Sequence, residues 1–166
     1  MKRFGIDLFL MLVIMGFMVA FPQTATAENW GTKEFVADGN TFTVGWGESR
    51  RFKLGPTKYA VHIYGHGKMP DGRTAEIRFA SIPLDDDEIE VTIARNIVGS
   101  SDALIISGVS GSGGFLNYQV FTVKQGVLKC ILDRSRIELH NGKVKVRGKS
   151  IEEYRDGRLV KIWRFN

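Results

Sequence analysis

The chain has 166 residues, 43% of them hydrophobic and 25% charged, with a formal net charge of +5. That composition excludes collagen-like, coiled-coil and disulfide-framework proteins, and a chain disordered along its whole length. Cys130 is the only cysteine, so no intrachain disulfide can form and stability has to come from packing.

The first element in chain order is a targeting segment. Lys2 and Arg3 precede a low-polarity run from Leu8 to Phe21, which ends in Pro22-Gln23-Thr24-Ala25-Thr26-Ala27. These are the positive, apolar and small-residue parts of a secretory signal, with Ala25 and Ala27 placed for cleavage before Glu28. As a helix the apolar run rises only about 21 Å, short of the roughly 30 Å hydrocarbon core. The expected boundaries are therefore a signal peptide over 1–27 and a single β-rich mature domain over 28–166, periplasmic or extracellular, with no transmembrane segment after cleavage. About 38% of the mature residues are apolar, enough for one core.

After residue 28 the apolar stretches are short, alternating and rich in β-branched and aromatic residues, which is strand composition. Strands are expected at 32–37, 41–46, 49–54, 58–65, 73–82, 88–95 and 103–109. A C-terminal meander then follows at 115–124, 127–132, 136–140, 143–147, 150–155 and 158–165. Asp38-Gly39, Pro70-Asp71-Gly72, Gln125-Gly126, Asn141-Gly142 and Asp156-Gly157 supply turn chemistry. Further turns are expected near Asp133–Ser135 and Arg147–Lys149. Residues 86–98 fit either a helix started by the acidic run Asp85-Asp86-Asp87-Glu88 or a strand, and their β-branched density favours the strand. The expected fold is all-β, a single antiparallel barrel or sandwich with a C-terminal meander and at most one short helix.

Few residues carry a chemical signature. His62 and His66 lie four apart, about 13 Å along one strand face, too far for one metal ion. The acidic run lacks the spacing of a calcium loop. The glycine-rich stretch Gly108–Gly114 has no lysine after it and feeds a strand, and neither Ser110 nor Ser112 sits in a nucleophile elbow. It reads as a hairpin tip, with Ser110, Ser112 and Asn117 as candidate ligand contacts. Cys130, in the apolar run Val127–Leu132, is expected to be a buried structural thiol. No catalytic residue, metal or cofactor is assigned.

Charge is the strongest functional signal. Residues 28–123 hold 9 basic and 12 acidic side chains, whereas 124–166 hold 12 basic and 5 acidic. Strand alternation sets Lys143, Lys145 and Arg147 on one face against Val144 and Val146 on the other. Arg134, Arg136, Arg158, Lys161 and Arg164 add to the set, with Tyr154 and Trp163 nearby. One reading is a solvated face paired with Glu138, Glu152 and Glu153. The other is recognition of an anionic envelope polymer or an anionic protein partner. Nucleic acid is not expected as a partner, since export removes it from reach. The expected function is a non-catalytic exported binding module. The alternatives are a small barrel holding a hydrophobic or sugar ligand among Trp30, Trp46, Tyr59, Tyr64 and Phe115, and a hydrolase assembled from His62, His66, Asp71 and Ser110. Oligomeric state stays open.

Overall fold

The computed structural model describes residues 31–48, 58–68, 71, 74–111 and 114–165. The expected signal peptide, the strand at 49–54, Trp30 and Ser112 lie outside the described residues. Within them the chain forms eleven strands and no helix: β1 (Gly31–Ala37), β2 (Asn40–Glu48), β3 (Tyr59–Lys68), β4 (Thr74–Leu84), β5 (Glu88–Val98), β6 (Ser101–Ser110), β7 (Phe115–Lys124), β8 (Val127–Leu139), β9 (Lys143–Arg147), β10 (Ser150–Arg155) and β11 (Arg158–Arg164).

Local turn chemistry explains most of the connections. Asp38-Gly39, Gln125-Gly126 and Asp156-Gly157 each place both central residues at positive φ, the conformation of a two-residue turn whose twist matches that of its strands. Registers close on them as Ala37 opposite Asn40, Lys124 opposite Val127 and Arg155 opposite Arg158. Such turns join neighbours, so every pairing is antiparallel and the strands fall into three sheets. The front sheet runs β1-β2-β3-β4, the middle sheet β5-β6-β7-β8 and the back sheet β11-β10-β9. No barrel closes, and the packing is that of a sandwich with a third layer.

Residues 86–98 resolve as strand over Glu88–Val98. The expected turn at Asp133–Ser135 does not form, and β8 passes through it. Asp133 Oδ1 accepts the Ser135 backbone N–H at 2.9 Å, and the pairing with β7 shifts register between Leu116 and Tyr118. A side-chain acceptor thus satisfies the backbone where the ladder is interrupted, which permits a bulge without a chain reversal.

The middle sheet is covered on both faces. Every residue of β6 from Asp102 to Gly108 is buried, so its run Ala103-Leu104-Ile105-Ile106 has no polar alternation. Leu104 and Ile106 join Val91, Phe121 and Val123 against Phe35, Phe42, Val44, Val61 and Ile63 of the front sheet. Ala103 and Ile105 turn the other way and share a second core with Tyr118, Val120, Leu139 and Ile151. Each large side chain so buried contributes about 1.5–3 kcal/mol.

Asp102 ties the first of these interfaces together. It is 3% exposed, and its carboxylate accepts the backbone N–H groups of Val36 and Asn96, each at 2.9 Å, and Arg95 Nη1 at 2.6 Å. Burial opposes its ionisation, but these donors outweigh it and hold the carboxyl below its ordinary value.

Candidate functional site

The back sheet presents two different faces. On β9, Lys143, Lys145 and Arg147 are exposed, while Val144 and Val146 pack into the second core. Register places Lys145 opposite Glu152 and Tyr154 opposite Lys143 on β10, and Arg164 opposite Ser150 on β11. Lys145 Nζ lies 4.7 Å from the Tyr154 ring centroid. Glu152 is the acidic residue on this outer face. It is engaged by Arg147 Nε at 3.2 Å and by the Tyr154 hydroxyl at 2.6 Å. Leu159 and Ile162, both exposed, complete the face on β11.

The inner face holds a buried ionic cluster. Glu153 is 1% exposed; its Oε1 accepts the Tyr118 hydroxyl at 2.6 Å, Trp163 Nε1 at 2.6 Å and Arg134 Nε at 2.9 Å. Burial opposes the charge on Glu153, but Arg134, Tyr118 and Trp163 together hold its carboxyl below the ordinary value. Burial, with the Glu153 hydrogen bond and charge, pushes the Tyr118 phenol up, so it stays protonated as a donor. The Arg134 guanidinium also stands 5.3 Å from the Trp163 ring centroid, and Lys161 Nζ stands 4.9 Å from it.

The eight basic residues expected to act together are thus divided. Arg134 is committed to Glu153, and Lys161, opposite Glu153 in register, lies against Trp163. Lys143, Lys145, Arg147 and Arg164 share the outer face, Arg158 is exposed at the turn into β11, and Arg136 is exposed on β8.

The described residues flanking the glycine-rich tip bond the acidic run. Asn117 Nδ2 donates to Asp86 Oδ1 at 2.7 Å, and the Gly111 N–H donates to Asp87 Oδ2 at 2.9 Å. The Asp86 carboxylate occupies the place that a Cβ on Gly108 would take. Lys58 Nζ bonds Asp87 Oδ1 at 2.6 Å, and Lys58 and the Gly111 N–H hold that carboxyl below its ordinary value. The acidic run is therefore a clamp on the β6–β7 hairpin, and Asn117 belongs to it. Ser110 is half-buried at the end of β6.

His62 and His66 are on β3 in the front sheet and Ser110 on β6 in the middle one. His66 Nε2 is 3.2 Å from Thr43 Oγ1. His62 is buried, and burial together with Arg78 lowers its pKa. Among the described residues no three His, Cys, Asp or Glu side chains gather into a metal-binding group. No helix among them is long and apolar enough to cross a membrane.

Cys130 is exposed, against the expectation of a buried thiol. β1 lies over β5, β6 and β7, which leaves the Cys130 side of edge strand β8 uncovered. Its sulfur still donates to Leu132 O at 3.5 Å. Desolvation and the Asp133 charge push the thiol above its ordinary value, which disfavours the nucleophilic thiolate.

One feature of the site was not anticipated from the sequence. An open cleft of about 440 Å³ lies between β5–β6 of the middle sheet and β9 of the back sheet. Glu90, Thr92, Ile93, Ile105, Ser107, Val109, Leu116, Gly142, Lys143, Val144 and Val146 line it. Among the described residues, Trp46, Tyr59, Tyr64 and Phe115, expected to surround a barrel interior, do not line it. The polar residues Glu90, Thr92 and Ser107 in strands that otherwise face a core were the signal for it.

No family model, no curated protein and no solved structure matches the chain.

Proposed function

We propose that the protein is a non-catalytic binding module, exported by its N-terminal segment, whose back sheet docks on an anionic envelope polymer through its outer face. The observation that carries this reading is the split of β9, with Lys143, Lys145 and Arg147 exposed and both valines turned inward. Arg164 extends the cationic row, and the acidic Glu152 on that face is already neutralised by Arg147. Lys143, Lys145 and Arg164, beside the Arg147–Glu152 pair, leave the face net positive, and such a face attracts a polyanion by summed Coulomb energy, screened over about 10 Å at 0.1 M salt.

The test is a salt series of binding to a phosphate-bearing lipopolysaccharide, with a neutral polysaccharide as control. At about 1 kcal/mol for each cation near an anionic surface, losing the three charges of Lys143, Lys145 and Arg147 weakens binding roughly a hundredfold at low salt, and reversing them to Glu weakens it further and flattens its salt dependence. Binding that is equal for the reversed variant, or absent at low ionic strength, overturns the reading.

A further inference from the structure

The cleft between β5–β6 and β9 has a chemistry distinct from that of the outer face, and its walls are aliphatic. Ile105, Val109, Leu116, Val144 and Val146 supply them, and no aromatic ring lines the cleft on which a sugar would stack. Its volume, about 440 Å³, falls within the range of small-ligand sites, roughly 300–1,000 Å³.

The polar groups are few and unevenly placed. Lys143 stands at one end, beside Gly142, whose missing side chain lets Leu116 and Leu139 pack against the backbone. Among the described residues no hydrogen bond or ion pair occupies the Lys143 ammonium. Leu116 pairs with Val109, and Glu90 pairs with Ser107 two positions further along β6. The Glu90 carboxylate accepts the Thr92 hydroxyl at 3.3 Å. An anionic head group is therefore attracted to the Lys143 end and repelled from the middle of the cleft. Beyond the middle lie Thr92 and Ile105, with apolar surface for a chain.

We propose that this cleft is a binding site for an aliphatic carboxylate, with the carboxylate on Lys143 and the chain between the β6 and β9 walls. It stands independently of polymer docking, because the cleft is formed by the inward valines of β9 and the docking face by its outward cations. Lys143 is the one residue that serves both.

Decanoate, decanol and decyltrimethylammonium, each below its micelle concentration, are titrated into the full-length ¹⁵N-labelled protein. Saturable amide shifts are expected at Ser107, Val109, Val144 and Val146, tightest with decanoate. Lys143→Gln, at an exposed position, weakens decanoate about tenfold and leaves decanol unchanged, the loss expected for one charge-assisted hydrogen bond. Val144→Phe fills the cleft and abolishes the shifts, whereas Lys145→Gln, on the outer face, leaves them intact. The proposal is overturned by an absence of saturable shifts at the cleft, by shifts confined to the exposed Leu159 and Val160 of β11, or by equal affinity for the cationic and anionic chains. Polymer docking fails by a separate result, insensitivity to reversal of Lys145 and Arg147.

Discussion

The middle sheet makes two interfaces of opposite character. Against the front sheet it presents Val91, Leu104, Ile106, Phe121 and Val123 to Phe35, Phe42, Val44, Val61 and Ile63, an apolar seam with its buried carboxylate, Asp102, held largely by backbone donors. Against the back sheet it joins an apolar patch to the Glu153 cluster and then leaves a cleft open. The first interface buries a continuous apolar core, whereas the second mixes apolar packing with a buried ionic cluster and an open cleft. Chemistry other than close packing collects at the incomplete interface, including the polar lining, the ionic cluster and the cationic edge.

The comparison is broken or upheld by its most buried members. Phe35→Ala, at a side chain with 0% exposure in the front seam, is expected to cost about 3–5 kcal/mol in chemical denaturation through lost transfer energy and a cavity. Glu153→Ala is expected to cost about 3 kcal/mol, because it strands the Arg134 charge and the Tyr118 hydroxyl. A Glu153→Ala penalty well under 1 kcal/mol would mean that water reaches the cluster and that the two interfaces differ less than their geometry implies.

Acid separates the two further. Asp102 and Glu153 both have carboxyl values lowered by folding, so each contributes stability above its unfolded value, near pH 4, that is lost as pH falls through the lower folded one. Urea midpoints are expected to be flat from pH 7 to about 5 and to drop below it. Glu153→Gln flattens that acid limb in part, leaving the Asp102 share. A limb unchanged by Glu153→Gln would leave the acid sensitivity to Asp102 and to Asp87, Asp133 and Asp156, whose carboxyl values folding also lowers.

The smallest effect lies on edge strand β8, which the front sheet leaves partly uncovered. Cys130→Ser is expected to change stability by less than about 0.5 kcal/mol, as exposed substitutions do. The wild-type thiol should react with a disulfide reagent more slowly than free cysteine at pH 8, because its raised value keeps it protonated. A large loss of stability would place Cys130 in the core after all.

Legibility in the sequence varied with the range of the forces involved. Ten of the expected strands match observed ones closely, and the segments 127–132 and 136–140 merge into β8. Asp133 looked like a turn residue because its side chain does bond the backbone two residues on, as it would in a turn. There the strand absorbs that bond as a bulge. Glu152 and Glu153 are adjacent in an alternating strand, and nothing local says which one faces inward. The answer depends on Tyr118 and Arg134, thirty-five and nineteen residues away. The same long-range contact removes Arg134 from the set of exposed cations, while Lys143, Lys145 and Arg147 stay where β9 alternation put them.

Sequence alone determined the all-β character, the two-residue hairpins and the alternation of β9. Each of these rests on one residue's φ preference or on the twofold period of an extended chain, both properties of a few neighbouring residues. Only the tertiary structure decided that the strands divide into three sheets, that β6 is buried on both faces, that Cys130 is exposed and that a cleft lies under β9. Those outcomes depend on which sheet covers which, a matter of contacts between residues far apart in the chain.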